Sequence, residues 1–188
     1  MTSKKPDQPL PLIAFGLFAT PIFLINLILP AHPQSNLDMA IDHFLDNQLF
    51  GLIGFWSSLF PFSSKATANY IALFAPLLAA VSTFYAFTEK FDSTQFDQMT
   101  LRRYLILLFA GVVLSALFIW CFYLTSTDLG TTKGKYGNLF GLNVFFFSAH
   151  NVAMSLFPFL VVPFMVQRCL YYIPCRILKR WWNSREKA

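Results

Sequence analysis

The chain has 188 residues, of which 56% are hydrophobic and 18% aromatic, including 23 Phe, while only 12% are charged. Soluble domains carry about 25% charged residues and cannot bury this much apolar side chain, so composition excludes a water-soluble globular protein and places the chain in a bilayer. The net charge of +5 reflects basic residues that cluster on one side of the apolar segments, which is a mark of membrane topology and not of nucleic-acid binding.

A helix needs about 20 apolar residues to cross the ~30 Å hydrocarbon core, and four windows reach that length. The first is Leu10–Leu29. Lys4 and Lys5 precede it, as in a secretory leader, but its apolar core is too long and no small-x-small cleavage site follows. A retained anchor is expected.

Residues 30–65 form a long external segment. Within it, SNLD (Ser35–Asp38) has the form of a capped helix start. Asp38, Asp42 and Asp46 recur every four residues and so share one helical stripe, opposed by Leu37, Ile41, Phe44 and Leu45. One histidine, His43, among carboxylates at helical spacing predicts a solvated face and no metal centre. LFGLIGFWSSLF (Leu49–Phe60) is fully apolar at its start but too short to cross, so it is expected in the outer interface or packed over the bundle.

The second window is Ala66–Phe87 and the third, the cleanest, is Tyr104–Leu124. Between them, EKFDSTQFDQMTLRR contributes Lys90, Arg102 and Arg103. The polar turn TSTDLGTTKGKYGN (Thr125–Asn138) follows the third window. Its GTTKGK lacks the spacing of a phosphate loop and no strand is expected before it, so a flexible connection is predicted. Lys133, Lys135 and Tyr136 would be available there to an incoming ligand. The fourth window is Leu142–Val166, in which His150 and Asn151 stand side by side in a run of Phe, Val and Leu.

The tail, 167–188, mixes cations with aromatic rings. Arg176, Lys179, Arg180, Trp181 and Trp182 suit the headgroup layer, where each cation contributes about 1 kcal/mol against anionic lipid. Eleven of the 14 basic residues fall in the N-terminal tail, the 89–103 loop and this tail, leaving Lys65, Lys133 and Lys135 on the other side. By the positive-inside rule both termini are cytoplasmic. The expected fold is therefore all-α: a single membrane domain, a four-helix transmembrane bundle with an interfacial helix between the first two spans.

The windows contain no Asp, Glu, Lys or Arg. Proton-coupled transporters and channels generally place acids or several ionisable groups there, and an intramembrane hydrolase needs a base with an orienting acid. Neither set is present, and Cys121, Cys169 and Cys175 match no zinc framework. No enzyme activity, metal or cofactor is expected. The polar residues in the windows, above all Asn26, Asn69, His150, Asn151 and Ser155, can instead hydrogen-bond between helices or to a partner, at about 0.6–2 kcal/mol each.

In order and character these features resemble the immunity proteins that protect bacteria from pore-forming colicins of the colicin A type. The resemblance runs from about Ser63 to Arg180. It rests on FSSKATANYIALFAPLLAAVSTFYAF, an inner loop ending LRRYLILL, the external TDLGTTKGK turn, and a last span closing on LVVPFMVQRCLYYIPCRILKR. It implies an inner-membrane protein that binds the inserted pore-forming domain of one bacteriocin class and prevents channel opening through contacts between transmembrane helices. His150, Asn151, Ser155, Asn69 and Asn26 would then carry recognition within the bilayer, and Lys133, Lys135 and Tyr136 outside it. Self-association is compatible with the same surfaces. Two alternatives stay open at this point: an accessory or assembly subunit of a larger membrane complex, and a small channel, holin or transporter.

Overall fold

The computed structural model describes residues 10–88 and 99–185. Helix α1 spans Leu10–Ile28, α2 Asn36–Gln48, α3 Pro61–Thr88, α4 Leu101–Ile119, α5 Val144–Pro163 and α6 Ile173–Arg185. Two three-residue strands, β1 (Gly54–Trp56) and β2 (Ser126–Asp128), and three π-wound segments, Trp120–Leu124 continuing α4, Gly137–Gly141 and Phe164–Tyr172, complete the set. Three helical stretches are long and apolar enough to cross a membrane: Pro61–Thr88, Leu101–Leu124 and Val144–Lys179. Leu12–Ile28 is apolar but shorter.

Side-chain contacts fix the directions of the helices. Phe15 packs against Phe159 and Phe23 against Phe145, so α1 runs antiparallel to α5. Phe60, at the start of α3, meets Phe147, while the Gln167 amide donates to the carbonyl of Ala86 near the end of α3, so α3 and α5 run together. Helix α4 returns against both, with Phe118 on Phe157 and the Tyr123 hydroxyl donating to the Ala72 carbonyl. The connections 29–60 and 125–143 therefore share one end, which they cap. The ends of α3 and α5 and the start of α4 share the other.

The core lies where α1, α3 and α5 meet. Phe18 and Ile22 of α1, Ile71, Ala75 and Leu78 of α3, Phe122 and Phe159 form one buried cluster. The alanines of α3 let its neighbours approach closely, as small residues do in lipid-embedded helices. Helix α4 is different, because Gly111 is its only buried residue. A Cβ at that position would meet the flexible end of the Met165 side chain, which lies in the segment Phe164–Tyr172 that follows α5 and would have to move aside.

Local signals account for the helix starts. Ser35 and Asp38 form a reciprocal capping box at α2, Thr100 accepts from the Arg103 amide at α4, and Asn143 accepts from the amides of Phe145 and Phe146 at α5. Pro61 occupies the first position of α3, where its missing N–H costs nothing.

Four expectations are revised. Helix α3 begins at Pro61 and not at Ala66, which draws Lys65 into a buried helical turn. The fourth helix does not end at Val166. It continues through a π-wound segment, Phe164–Tyr172, into α6, and the winding widens directly after Pro163, where an intrahelical bond is lost. The 125–138 connection is not a free hairpin, since β2 pairs with β1 in parallel, Gly54 opposite Ser126 and Trp56 opposite Asp128. The fold thus adds a small parallel strand pair to an otherwise helical chain. Lys4, Lys5, Lys90 and Lys187 lie outside the described residues, as do the side chains of Arg180 and Trp181 within α6.

Candidate binding surface at the capped end

Three polar knots hold the cap onto the helices. In the first, Lys65 points from α3 at α2, its Nζ 2.5 Å from Asp42 and 2.9 Å from Asp46. The lysine side chain is 7% exposed, whereas those of Asp42 and Asp46 are 30% and 47% exposed. Four-residue spacing on α2 presents both carboxylates to one cation, and Leu45 buries against Phe62 and Ala66 below them. Two of the three acids in the stripe are therefore structural. Asp38 serves the helix cap, and the amides of Ser35 and Gln34 hold its carboxyl below the usual value.

In the second knot, Asn69 fastens the turn after α2. Its Oδ1 accepts from the Phe50 amide at 2.9 Å, and its Nδ2 donates to the Gly51 carbonyl at 2.8 Å and to the Lys65 carbonyl at 2.9 Å. The third knot ties β1 to the 125–143 connection. The Ser57 hydroxyl donates to the Gly141 carbonyl at 2.7 Å, and Asp128 accepts from the amides of Ser58 and Gly130 at 2.9 and 2.8 Å. Burial pushes the Asp128 carboxyl up, but these donors outweigh it and hold it below its ordinary value. Gly141 lies so close to the Leu129 carbonyl that no side chain fits.

His150 sits beneath this cap. The Tyr136 hydroxyl is 2.9 Å from its Nε2, and the rings of Phe55, Phe140 and Tyr136 surround it at centroid distances of 5.2, 4.9 and 5.4 Å. The imidazole therefore joins β1, the 125–143 connection and α5. Desolvation raises the Tyr136 phenol above its ordinary value, so the hydroxyl stays neutral at physiological pH. No carboxylate stands in this cluster, which suits it to holding the cap and not to relaying protons.

The remaining candidates from the sequence lie inside the bundle. Asn26 donates to the Thr67 hydroxyl at 2.7 Å, linking α1 to α3. Asn151 donates to the Phe147 carbonyl, and the Ser155 hydroxyl donates to that of Asn151, both within α5. Asn26, Asn69, His150, Asn151 and Ser155 are all buried and each bonds within the protein, although the Oδ1 atoms of Asn26 and Asn151 accept no hydrogen bond. Lys133, Lys135 and Tyr136 are exposed at the capped end, and Trp182 is exposed on α6. Arg176 and Lys179 also fall on α6. Sequence reasoning missed Lys65, Ser57 and Phe55. The signal for Lys65 was present in the acidic stripe, which needed one cation in reach.

Among the described residues no cluster of His, Cys, Asp or Glu could hold a metal. Two apolar grooves flank α4. One, about 430 Å³, runs between α3, α4 and α5, past Ala75, Ala79, Phe118 and Pro158. The other, about 510 Å³, lies across α4 and α5, past Leu117, Cys121, Ala153 and Leu156. Comparison with known proteins gives no match to any family model, curated protein or solved structure.

Proposed function

We propose that the protein is an immunity protein of the colicin A type. Four spans would hold it in the bacterial inner membrane with both ends in the cytoplasm. There it would bind the inserted pore-forming domain of a colicin-like bacteriocin and keep its channel closed. The observation that most supports this reading is the exposure of α4. The most apolar 18 residues of the Leu101–Leu124 stretch have a mean hydropathy of 2.7, yet only 11% of them are buried inside the protein, and a groove lies on each side. Such a face can receive a helical hairpin from a partner within the bilayer.

Energetics set the size of the contact required. Moving a channel from mostly open to mostly closed needs about 5.5 kcal/mol of preferential binding to the closed form. Interhelical contacts contribute about 0.6–2 kcal/mol each in lipid, so several must act together. Two grooves along one helix offer that many positions, whereas the two lysines of the external turn alone do not. Lys133 and Lys135 would guide an arriving domain and add selectivity.

The test is protection. Bacteria expressing the chain are challenged with a panel of A-type pore-forming colicins, and potassium efflux is followed. Protection against at least one toxin, lost when bulky residues replace Ala79 and Ala153 in the two grooves, is the expected result. Absence of protection across the panel, together with recovery of the chain in a stable endogenous complex, would favour the accessory-subunit reading and overturn this one.

A further inference from the structure

At the uncapped end, a cavity of about 280 Å³ opens between α3 and the π-wound segment after α5. Its wall includes Ser82, Tyr85, Phe164, Gln167 and Arg168. Ser82, Tyr85, Gln167 and Arg168 bring polar groups there, beside the apolar Ala86, Phe159, Leu160 and Pro163.

Ser82 is the informative one. Every other buried hydroxyl among the described residues is hydrogen-bonded. Ser64, Thr67, Ser148 and Ser155 each donate to the carbonyl four residues back, Ser63 to that of Phe60, and Ser57 to that of Gly141. Ser82 is 6% exposed and its Oγ has no partner. Back-bonding is the default for a helical serine, and an unsatisfied buried hydroxyl is costly, so its isolation beside a cavity points to a missing acceptor. Gln167, also buried, uses its amide nitrogen on the Ala86 carbonyl and helps close the cavity floor. Arg168 lies over the Phe164 ring, 5.3 Å from its centroid, which fixes the guanidinium at the cavity wall.

Depth identifies the acceptor. Ser82 lies five residues before the end of the Ala66–Phe87 window and Arg168 two residues after the end of the Leu142–Val166 window, about 8 and 3 Å along their helices. The cavity therefore straddles the edge of the hydrocarbon core opposite the cap, where phosphate groups begin.

We propose that this cavity binds a phosphate group, presented by a lipid headgroup, with Arg168 and the Ser82 hydroxyl as its donors. A mixed wall suits that ligand, since the phosphate meets the polar groups while the glycerol and chain starts meet Phe159, Pro163 and Phe164. Basic pockets between helices commonly hold acidic headgroups for the same reason. The inference depends on the membrane setting and is independent of toxin binding.

The full chain in neutral detergent would be titrated with dilauroylphosphatidylglycerol, dilauroylglycerol or inorganic phosphate, following lipid retention in native mass spectra and thermal unfolding. Phosphatidylglycerol should be retained about tenfold better than dilauroylglycerol. Ser82→Ala and Arg168→Gln should each weaken its binding about tenfold, with Arg168→Lys closer to wild type. Ser82→Ala removes one oxygen that supports no other contact, so it keeps the test readable if Arg168→Gln unfolds. Full stabilisation by inorganic phosphate alone would support the phosphate site and assign its ligand to the aqueous phase. Equal retention of dilauroylglycerol, or unchanged phosphatidylglycerol binding in Ser82→Ala, would overturn the proposal.

Discussion

The ion-paired lysine gives an asymmetric prediction. Lys65 is buried, while its partners Asp42 and Asp46 reach solvent. Removing the lysine as Lys65→Met leaves two carboxylates that water can still hydrate and fills the same space with apolar atoms. Because both remaining carboxylates keep contact with water, their loss of a partner resembles that of an exposed ion pair, and a cost of no more than about 1 kcal/mol is expected. Removing the carboxylates as Asp42→Asn with Asp46→Asn strands a buried ammonium, for which the usual cost is about 3–5 kcal/mol. Partial exposure of this site and the reach of the lysine stem put the expected value at the lower end, about 3 kcal/mol. That corresponds to roughly a hundredfold loss of protection. Hydrogen exchange of the α2 amides, 36–48, reads it locally. The double asparagine variant should exchange about a hundredfold faster in α2 while the amides of α5 are unchanged, and Lys65→Met should stay within a few-fold of wild type. Equal loosening by both variants would refute the claim that the lysine is the member of the triad that cannot stand alone.

Asp128 makes the cap sensitive to acid. Its folded-state value lies below 3.8, so its stabilising effect is complete above the unfolded value and disappears as pH falls through the folded one. Proteolysis of the 125–143 connection should therefore accelerate only below about pH 4, and Asp128→Ala should make it fast at neutral pH, at a cost of about 1.5–3 kcal/mol. Gly141→Ala should loosen the same connection, by about 1–3 kcal/mol, because its Cβ meets the Leu129 carbonyl; normal protease resistance would refute the close approach. Tyr136→Phe and His150→Leu should be coupled in a double-mutant cycle of unfolding in detergent, by about 1 kcal/mol. Strict additivity would show that their hydrogen bond contributes nothing.

Hydropathy made the three long apolar helices legible, because a helix in lipid needs about 20 apolar residues whatever it packs against. The same criterion misplaced two ends. Lys65 looked like the boundary of the second span, yet Pro61 was the better marker, since proline at the first helical position is a local signal that charge does not cancel. Arg168 and the cations after it looked like the end of the fourth helix, but backbone hydrogen bonding continues into water as readily as in lipid. The strand pair was not legible at all. GFW and STD carry no alternation long enough to read, and their pairing joins segments about 70 residues apart.

The polar residues of the spans were found by type but not by role. Asn69 and His150 were recognisable as costly in lipid, and the cost is met within the chain: Asn69 holds the 50–51 turn, and His150 holds Tyr136. Their partners come from connections that no local pattern ties to the helices. This division bears on where a partner could act. The cap is fastened by an ion pair, an asparagine and a serine–aspartate knot, so α1, α3 and α5 form a fixed frame at that end. Among the described residues, α4 has one buried residue, a glycine, and its π-wound continuation is tied to α3 by the Tyr123 hydroxyl on the Ala72 carbonyl. An intramembrane partner would therefore displace lipid from α4 and not polar contacts from the frame, which is the cheaper surface to exchange. Substitutions in the frame should then lower stability first and function only through it. Substitutions at the exposed groove residues Leu117, Ala153 and Leu156 should change function while leaving unfolding in detergent close to wild type.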